Sequence, residues 1–235
     1  MQRTLNGLMS LPAQYRDFAR LIIDGARELD VSLDQPAVAK IVRHMELLVE
    51  WNARVNLTAL RTLTEIAVYH FLDSLTVFKV IPRRAGFRVL DIGSGAGFPG
   101  AVLATVDDSL RVTFLDRDPK KIVFLKILVR ALNTFSASFV NDTIDRFISS
   151  PRKELYDLLI SRAFSSDPAM IDGFHPLVGS GGFLVYMGGP SVLAQELSLH
   201  HFEARTSWEG MLPFSDRFRK VILYSRREKP LLQKT

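Results

Sequence analysis

The sequence contains no cysteine among its 235 residues. That absence excludes disulfides, thiolate zinc sites, iron–sulfur clusters and a cysteine nucleophile. Long hydrophobic runs are missing as well, since no stretch approaches the roughly 18 uninterrupted apolar residues that a membrane span requires. The N-terminal residues also lack the basic-then-apolar order of a signal peptide. We therefore expect a cytoplasmic protein with no membrane segment.

Metal-ligand patterns are scarce too. The five histidines show neither the i, i+4 pairing nor the acidic neighbours of a metal site, so we expect no metal. His70 lies three residues before Asp73, which places both on one helix face. This spacing favours a packing hydrogen bond between an N-terminal helix and the sheet over a catalytic role for His70.

What the chain does have is an ordinary globular composition, with 47% hydrophobic and 23% charged residues. Its length fits one large α/β domain with a modest extension, and therefore a single active site. The net charge of +5 favours a polyanionic partner such as nucleic acid.

The N-terminal third is patterned as helices. Apolar residues recur at helical spacing over residues 15–29 and again over 34–50. Thr62 and Glu65 have the spacing of a capping box, which predicts a third helix that runs to about Val80. We predict a helical extension over residues 1–84 that packs on a core formed by residues 85–235.

From Phe87 onwards, short β-prone runs alternate with helical segments. The predicted strands cover residues 88–92, 111–115, 138–140, 157–160, 182–187, 203–207 and 219–225. Such alternation predicts a doubly wound, mostly parallel α/β sheet of seven strands with helices on both faces. No helix is predicted between the last two runs, which indicates an antiparallel closing hairpin.

A glycine-rich turn, Asp91-Ile-Gly-Ser-Gly-Ala-Gly-Phe-Pro-Gly100, lies where the first strand ends and a helix begins. Such a turn brings the backbone close to a nucleoside, and Asp116 ends the next strand where a carboxylate can accept ribose hydroxyls. Glycines 95, 97 and 100 fit the dinucleotide pattern G-x-G-x-x-G, so a dinucleotide-dependent oxidoreductase stays open on this segment alone. Glycines 93, 95 and 97 after Asp91 instead resemble the first motif of class I methyltransferases, whose cofactor carries a sulfonium and no pyrophosphate.

Several motifs together resemble one family, the bacterial ribosomal RNA small-subunit methyltransferase G family, also called glucose-inhibited division protein B. The resemblance covers nearly the whole chain. It rests on Trp51-Asn52 with Asn56-Leu-Thr58, His70-Phe-Leu-Asp-Ser74, the glycine-rich turn, Phe114-Leu-Asp116 with Lys120-Lys121, and Ser161-Arg-Ala-Phe164.

The resemblance implies a class I methyltransferase fold and transfer of a methyl group from S-adenosylmethionine to guanine N7 in 16S small-subunit ribosomal RNA. The positions that it implies for cofactor contact are Gly93, Phe98, Ile144, Asp145 and Arg162. With the turn residues Ser94 and Gly95 and the strand-ending Asp116, they make up our predicted cofactor site. We expect the chain to act as a monomer.

Two positions depart from the family pattern. Thr143 stands where many members have arginine, and Met187-Gly188 stands where they have Lys-Gly. Both departures remove a cation near the presumed RNA face. A methyltransferase of the same fold that acts on another RNA or on a small molecule therefore stays open, as does a non-catalytic RNA-binding module.

The remaining candidates concern RNA contact. We expect Arg162 to clamp the cofactor or an RNA phosphate, with a structural salt bridge to a neighbouring helix as the alternative. Phe164 either stacks on a flipped guanine or belongs to the core. Basic groups at Arg83, Arg84 and Arg88, and from Arg217 to Lys229, would form an RNA track if they shared the face of the cofactor cleft.

Overall fold

The computed structural model describes residues 12–82, 84–133, 136–151, 154–162, 167–188 and 199–228. Its strands form one seven-stranded sheet in the order β3-β2-β1-β4-β5-β7-β6. β7 is antiparallel to both of its neighbours, and the pairs among β1 to β5 are all parallel. The predicted fold class, a class I methyltransferase sheet with an antiparallel closing strand, is confirmed.

The strands are β1 (Arg88–Ile92), β2 (Arg111–Leu115), β3 (Ser136–Val140), β4 (Tyr156–Arg162), β5 (Val178–Gly188), β6 (Phe202–Met211) and β7 (Phe218–Arg226). The α-helices are α1 (Ala13–Glu28), α2 (Gln35–Asn52), α3 (Leu63–Ile66), α4 (Asp73–Leu75), α5 (Gly100–Val106), α6 (Pro119–Leu132), α7 (Ile144–Ser149) and α8 (Pro168–Asp172).

Strand β6 is twice as long as the predicted run over residues 203–207. Among the described strands it pairs only with β7, and all of its residues after Phe202 are exposed or half-buried. An edge strand of this kind carries little of the apolar signal on which a strand prediction depends. The predicted hairpin with β7 is nevertheless confirmed.

The third helix begins at the predicted capping box, and α2 begins at a capping aspartate that was not predicted. The Asp34 carboxylate accepts the amide of Ala37 at 2.8 Å, and Thr62 and Glu65 form the reciprocal capping box. Gly25 on α1 permits close approach to Leu72, because a Cβ there would lie 2.4 Å from a Leu72 methyl carbon.

The third helix is less regular than the single α-helix that we predicted. It continues from α3 into a π-helical segment, Ala67–Leu72, then into α4 and a 3₁₀ turn, Thr76–Lys79. π-helical turns occur frequently at functional sites. This one carries Tyr69 and His70, both of which contact Arg162 on β4.

The core lies on both faces of the sheet. On one face, residues of α1, α2 and the third helix pack with those of α5 and α6 in a single cluster that includes Phe18, Met45, Phe71, Leu103 and Phe124. A smaller cluster covers the other face. The N-terminal helices therefore share one hydrophobic core with the sheet.

Candidate active site

A cavity of about 580 Å³ opens at the carboxyl ends of β1, β2 and β4. The strand order reverses direction between β1 and β4, and ligands of open α/β sheets bind at such switch points. The cavity volume lies within the range of small-molecule and cofactor sites.

Five of the eight predicted cofactor residues line this cavity: Gly93, Asp116, Ile144, Asp145 and Arg162. The other three, Ser94, Gly95 and Phe98, are not among its lining residues. Ser94 is buried and donates its hydroxyl to the Asp91 carbonyl at 2.8 Å, so its side chain holds the turn together.

The cavity wall also contains residues that we did not predict: Arg117, Lys121, Asp142, Thr143 and Met170. Arg117 directly follows Asp116, and Asp142 and Thr143 directly precede Ile144, so their nearness in sequence was an available signal. Met170 carried none, because it reaches the wall from the short helix α8. The charged lining residues balance, with three carboxylates against two arginines and one lysine.

The glycine-rich turn closes over the carboxylate of Asp91. Asp91 is fully buried, and its Oδ2 accepts the amide of Gly100, the first residue of α5, at 3.1 Å. A Cβ at position 100 would lie 2.5 Å from that oxygen, so only glycine fits. Burial raises the pKa of Asp91 to about 7. Because a carboxylate already binds the first amide of α5, this helix start is poorly suited to a pyrophosphate.

Asp116 fixes the turn from the end of β2. Its Oδ2 accepts the amide of Gly95 at 2.9 Å, and its Oδ1 accepts the amide of Asp118 at the same distance. Gly95 has a φ of +56°, a left-handed conformation that glycine adopts without strain. The side chain that is predicted to receive the ribose therefore also sets the shape of the turn.

Phe98, at the end of the turn, lies between two imidazole rings. Its ring stacks on His44 with centroids 4.7 Å apart and on His70 with centroids 4.4 Å apart. With both faces covered and 3% of the residue exposed, Phe98 has no free ring face for a ligand. Its predicted cofactor contact stays a prediction that would involve the backbone or ring edge.

Both imidazoles of this stack are held neutral. Burial is the main cause that lowers the pKa of His44 to about 4 and that of His70 to about 3. The nearby Arg162 guanidinium lowers the pKa of His70 further. His44 Nε2 lies 2.7 Å from the Ala96 carbonyl, to which a neutral ring protonated at Nε2 donates.

Arg162 lies at the centre of an ionic cluster in which the carboxylate of Asp73 is buried and the two arginines are partly buried. Its NH1 donates to the Tyr69 carbonyl at 3.0 Å and lies 3.6 Å from the carboxylate of Asp73. Arg219 of β7 donates to the same carboxylate at 2.9 Å. The predicted salt bridge to a neighbouring helix is thus present, while Arg162 also borders the cavity.

His70 links this cluster to the loop after α2. A guanidinium can only donate, so His70 Nδ1 accepts from Arg162 at 3.0 Å and the ring proton is on Nε2. Nε2–H donates to Thr58 Oγ1 at 2.7 Å, and Asn52 Oδ1 accepts the amide of Thr58 at 2.9 Å. Asn52, Thr58, His70 and Arg162, which lie in separate motifs, therefore form one chain of hydrogen bonds. The predicted packing hydrogen bond of His70 between an N-terminal helix and the sheet is confirmed.

The two departures from the family pattern lie in different surroundings. Thr143 lines the cavity and caps α7 through its side chain, which accepts the amide of Arg146. Met187 is 3% exposed and belongs to the core beneath the N-terminal helices. The Met187 side chain itself is therefore covered, although it lies opposite Arg162 near the cavity end of β5.

The basic groups lie at opposite ends of the strands, some at the amino ends of the parallel strands and others at the carboxyl ends, where the cavity opens. Arg84 and Arg88 lie at the start of β1, and Arg226 and Arg227 at the end of β7, so all four are at the edge opposite the cavity. Arg84 and Arg88, the described members of the first group, therefore do not meet the condition for an RNA track on the cavity face. Arg217 and Arg219, at the start of β7, lie at the cavity edge. Arg83, Phe164 and Lys229 fall outside the described residues.

Within the described ranges, no group of three or more histidine, cysteine, aspartate or glutamate side chains is arranged to hold a metal ion. The same ranges contain no helix that is both long and apolar enough to cross a membrane.

Comparison with solved structures supports the fold. A magnesium protoporphyrin IX methyltransferase from Synechocystis, solved with bound S-adenosylmethionine, matches 83% of this chain and 99% of its own, with a TM-score of 0.53 and 16% identity. TrmN from Thermus thermophilus matches 68% of this chain and 53% of its own, with a TM-score of 0.52 and 16% identity.

Sequence comparison is more specific. A curated ribosomal RNA small subunit methyltransferase G from Syntrophus aciditrophicus is 33% identical over 92% of this chain and 91% of its own. Its namesakes from Acetivibrio thermocellus and Burkholderia multivorans are 32% and 36% identical over 88% and 76% of this chain, and over 88% and 79% of theirs. The family model described as rRNA small subunit methyltransferase G matches residues 37–212. The chain belongs to the GidB family of small-subunit ribosomal RNA methyltransferases.

Proposed function

We propose that this protein transfers the methyl group of S-adenosylmethionine to N7 of a guanine in 16S ribosomal RNA. The observation that carries the proposal is the cavity at the switch point, which is bordered by Gly93 and Asp116 in a chain of the GidB family. We further propose that it acts as a monomer in the cytoplasm, and that residues 1–84 form an extension of a catalytic core over residues 85–235.

The lining residues fit a sulfonium cofactor better than a dinucleotide. S-adenosylmethionine carries two cationic groups and one carboxylate, and the cavity offers three carboxylates and three cations. The backbone amide at the start of α5 is bound by Asp91 and so is poorly suited to a pyrophosphate. These features favour the methyltransferase over the oxidoreductase that the glycine pattern alone left open.

We assign cofactor binding to the predicted residues in two groups. Gly93, Asp116, Ile144, Asp145 and Arg162 would contact the cofactor directly, because they line the cavity. Ser94, Gly95 and Phe98 would shape the turn behind it through their contacts with Asp91, Asp116 and the two imidazoles.

The bound cofactor would supply an electrophilic methyl group. Guanine N7 carries a free lone pair, so the protein needs no base to remove a proton, and positioning supplies most of the rate enhancement. Methylation leaves a positive charge on the purine, and the carboxylates of Asp116, Asp142 and Asp145 give the cavity groups that stabilise such a charge.

Basic side chains at the cavity edge support an RNA substrate. Arg117 and Lys121 line the cavity, and Arg217 is exposed at the start of β7 at the same edge. Such cations bind phosphates through counterion release. Binding should therefore weaken steeply as salt concentration rises.

The proposal is tested by measuring two things on the purified protein. S-adenosylmethionine, and not a nicotinamide dinucleotide, should raise the melting temperature. Labelled methyl should then appear in 16S RNA or in assembled small subunits, and not in transfer RNA offered at equal concentration.

Other outcomes would overturn specific parts. Transfer to transfer RNA or to a small molecule would keep the cofactor and replace the substrate. RNA binding without methyl transfer would indicate a non-catalytic module, and a rise in melting temperature with a dinucleotide alone would revive the oxidoreductase.

A further inference from the structure

The turn between β6 and β7, residues 211–217, is the hairpin tip. β7 pairs antiparallel with β5, and Lys220 lies opposite Gly188 at the carboxyl end of β5. The hairpin tip therefore lies at the same edge of the sheet as the cavity. Nothing in the cofactor site uses its side chains.

The hairpin tip exposes two large apolar side chains. Met211 is 51% exposed and Phe214 is 48% exposed. Between them, Leu212 is 1% exposed, and its amide donates to the Arg217 carbonyl at 2.9 Å. The turn is thus anchored by a buried leucine and its own hydrogen bonds while Phe214 faces solvent.

Phe214 also has an unfavourable backbone conformation, with a φ of +61°. Bulky residues rarely adopt the left-handed region, and such strain clusters at functional sites. The other described non-glycine residues with positive φ are Asp30 and Asn133, types that tolerate it. A position that suits glycine or asparagine instead carries an exposed aromatic ring.

Contacts connect the hairpin tip to Arg162 in the cavity wall. The Arg217 guanidinium lies 3.8 Å from the centroid of the Tyr69 ring, and the Tyr69 carbonyl accepts from Arg162. Arg219 and Arg162 share the carboxylate of Asp73. Arg217 therefore reaches Arg162 through Tyr69. Arg219 reaches it through Asp73.

We propose that the hairpin tip binds an unpaired nucleotide of the substrate RNA beside the target guanine, with Phe214 stacked on the base. Exposed aromatic rings interleaved with arginines are the chemistry that binds single-stranded RNA, because every base has a π-face. Asp216 is the single carboxylate in the tip, which also carries the exposed cation Arg217; beside the tip, Arg219 pairs with Asp73 and Lys220 lies 3.8 Å from Glu209. The inference rests on the proposed RNA substrate.

The test compares Phe214→Gly and Phe214→Trp with wild type, and uses Leu155→Ala at the opposite edge as the matched control. Leu155 is 37% exposed and directly precedes β4. Phe214→Gly should raise KM for RNA about tenfold while the melting temperature is unchanged or higher, since glycine suits the positive φ. Its cofactor affinity and the salt dependence of RNA binding should match wild type, because a stacking contact and no phosphate contact is lost.

Phe214→Trp should keep wild-type KM, and so should Leu155→Ala. Ultraviolet crosslinking of wild type to 16S RNA should place the nucleotide adduct in the tryptic peptide of residues 206–217. A wild-type KM for Phe214→Gly, or adducts only elsewhere, overturns the proposal. If wild type transfers no methyl to RNA, the proposed function fails separately, and the crosslinking result alone decides on the hairpin tip.

Discussion

At the scale of single residues, two buried carboxylates behind the cavity differ in the hydrogen bonds and ion pairs that they accept. Asp91 receives one amide hydrogen bond, and its Oδ1 has no hydrogen-bond partner among the described residues. Asp73 is shared by two arginines. At neutral pH, replacing Asp91 by asparagine should therefore raise the free energy of unfolding, whereas replacing Asp73 should lower it.

Replacing Asp91 by asparagine should give a stability difference that depends on pH. The pKa of Asp91 rises from 3.8 to about 7 on folding, so its contribution is fully present below about pH 4 and is lost as pH rises through 7. Relative to wild type, Asp91→Asn should therefore gain on the order of 4 kcal/mol in unfolding free energy between pH 4 and pH 8. Denaturant unfolding at both pH values measures this, and a difference that does not change with pH would contradict the buried charge.

Replacing Asp73 by asparagine should destabilise the protein. The Asp73 side chain is 2% exposed, and its loss removes the carboxylate that pairs with both Arg162 and Arg219. Removing one partner of a buried ion pair costs about 3–5 kcal/mol. Urea unfolding of Asp73→Asn against Asp157→Asn, whose partner Arg88 is exposed, separates the buried pair from the surface one. Equal losses in the two variants would argue against the cluster.

Because Arg162 belongs to this cluster, a loss of activity in an Arg162 variant can come from lost stability as well as from lost cofactor or RNA contact. If Arg162 only clamped the cofactor or an RNA phosphate, Arg162→Ala would impair methyl transfer and leave the fold intact. Arg162 also holds Tyr69, His70 and Asp73, so its truncation should lower stability as well as activity. Unfolding and cofactor binding must therefore be measured together for this variant.

At the scale of elements, the sequence predicted best those features that depend on neighbouring residues alone, such as a helix cap. The capping box of Thr62 and Glu65 was predicted from spacing alone, because a capping side chain satisfies amides within three residues. The π-helical turn and the full length of β6 could not be predicted. The π-helical turn occurs where Tyr69 and His70 contact Arg162, which is distant in sequence, and β6 lies at an exposed edge, so neither leaves a local signal.

The candidate site was likewise predicted only where its residues follow from a local sequence pattern. Residues at strand ends, such as Gly93 and Asp116, follow from the strand–turn–helix pattern. The stack of His44, Phe98 and His70 joins three segments, and nothing local in the sequence signals it. The boundary between extension and core at residues 84 and 85 stays a prediction.

Close packing of α1 against the third helix gives a test of one element contact. A Cβ at Gly25 would lie 2.4 Å from Leu72, which is fully buried and cannot move aside freely. Gly25→Ala should cost about 1–3 kcal/mol by overpacking, although alanine favours the helix itself. Thermal unfolding against Gly86→Ala, where the φ is positive and no atom lies within 4 Å of the added Cβ, separates overpacking from backbone strain.

At the scale of the whole molecule, the N-terminal helices and the cofactor turn form one unit through the histidine stack. The pKa of His44 falls from 6.5 to about 4 on folding, so its contribution is present above pH 6.5 and is lost as pH falls toward 4. That loss is worth roughly 3 kcal/mol at about 1.4 kcal/mol per pKa unit.

This coupling predicts acid sensitivity of both the fold and the cofactor site. His44→Phe should reduce the loss of unfolding free energy between pH 6.5 and pH 4, with the remainder coming from His70, whose pKa is also lowered. It should also lower stability at pH 7 because the hydrogen bond to Ala96 is gone. His200→Gln, at an exposed position, should behave as wild type. An unchanged pH profile for His44→Phe would show that other groups cause the acid loss.

The most direct test of the account is to locate 7-methylguanosine in 16S RNA after incubation with the protein and S-adenosylmethionine. Nuclease digestion and mass spectrometry of RNA fragments give both the nucleoside and its position. The account predicts 7-methylguanosine at a single guanine. Cofactor binding with no methylated guanine in either naked RNA or assembled small subunits would contradict it.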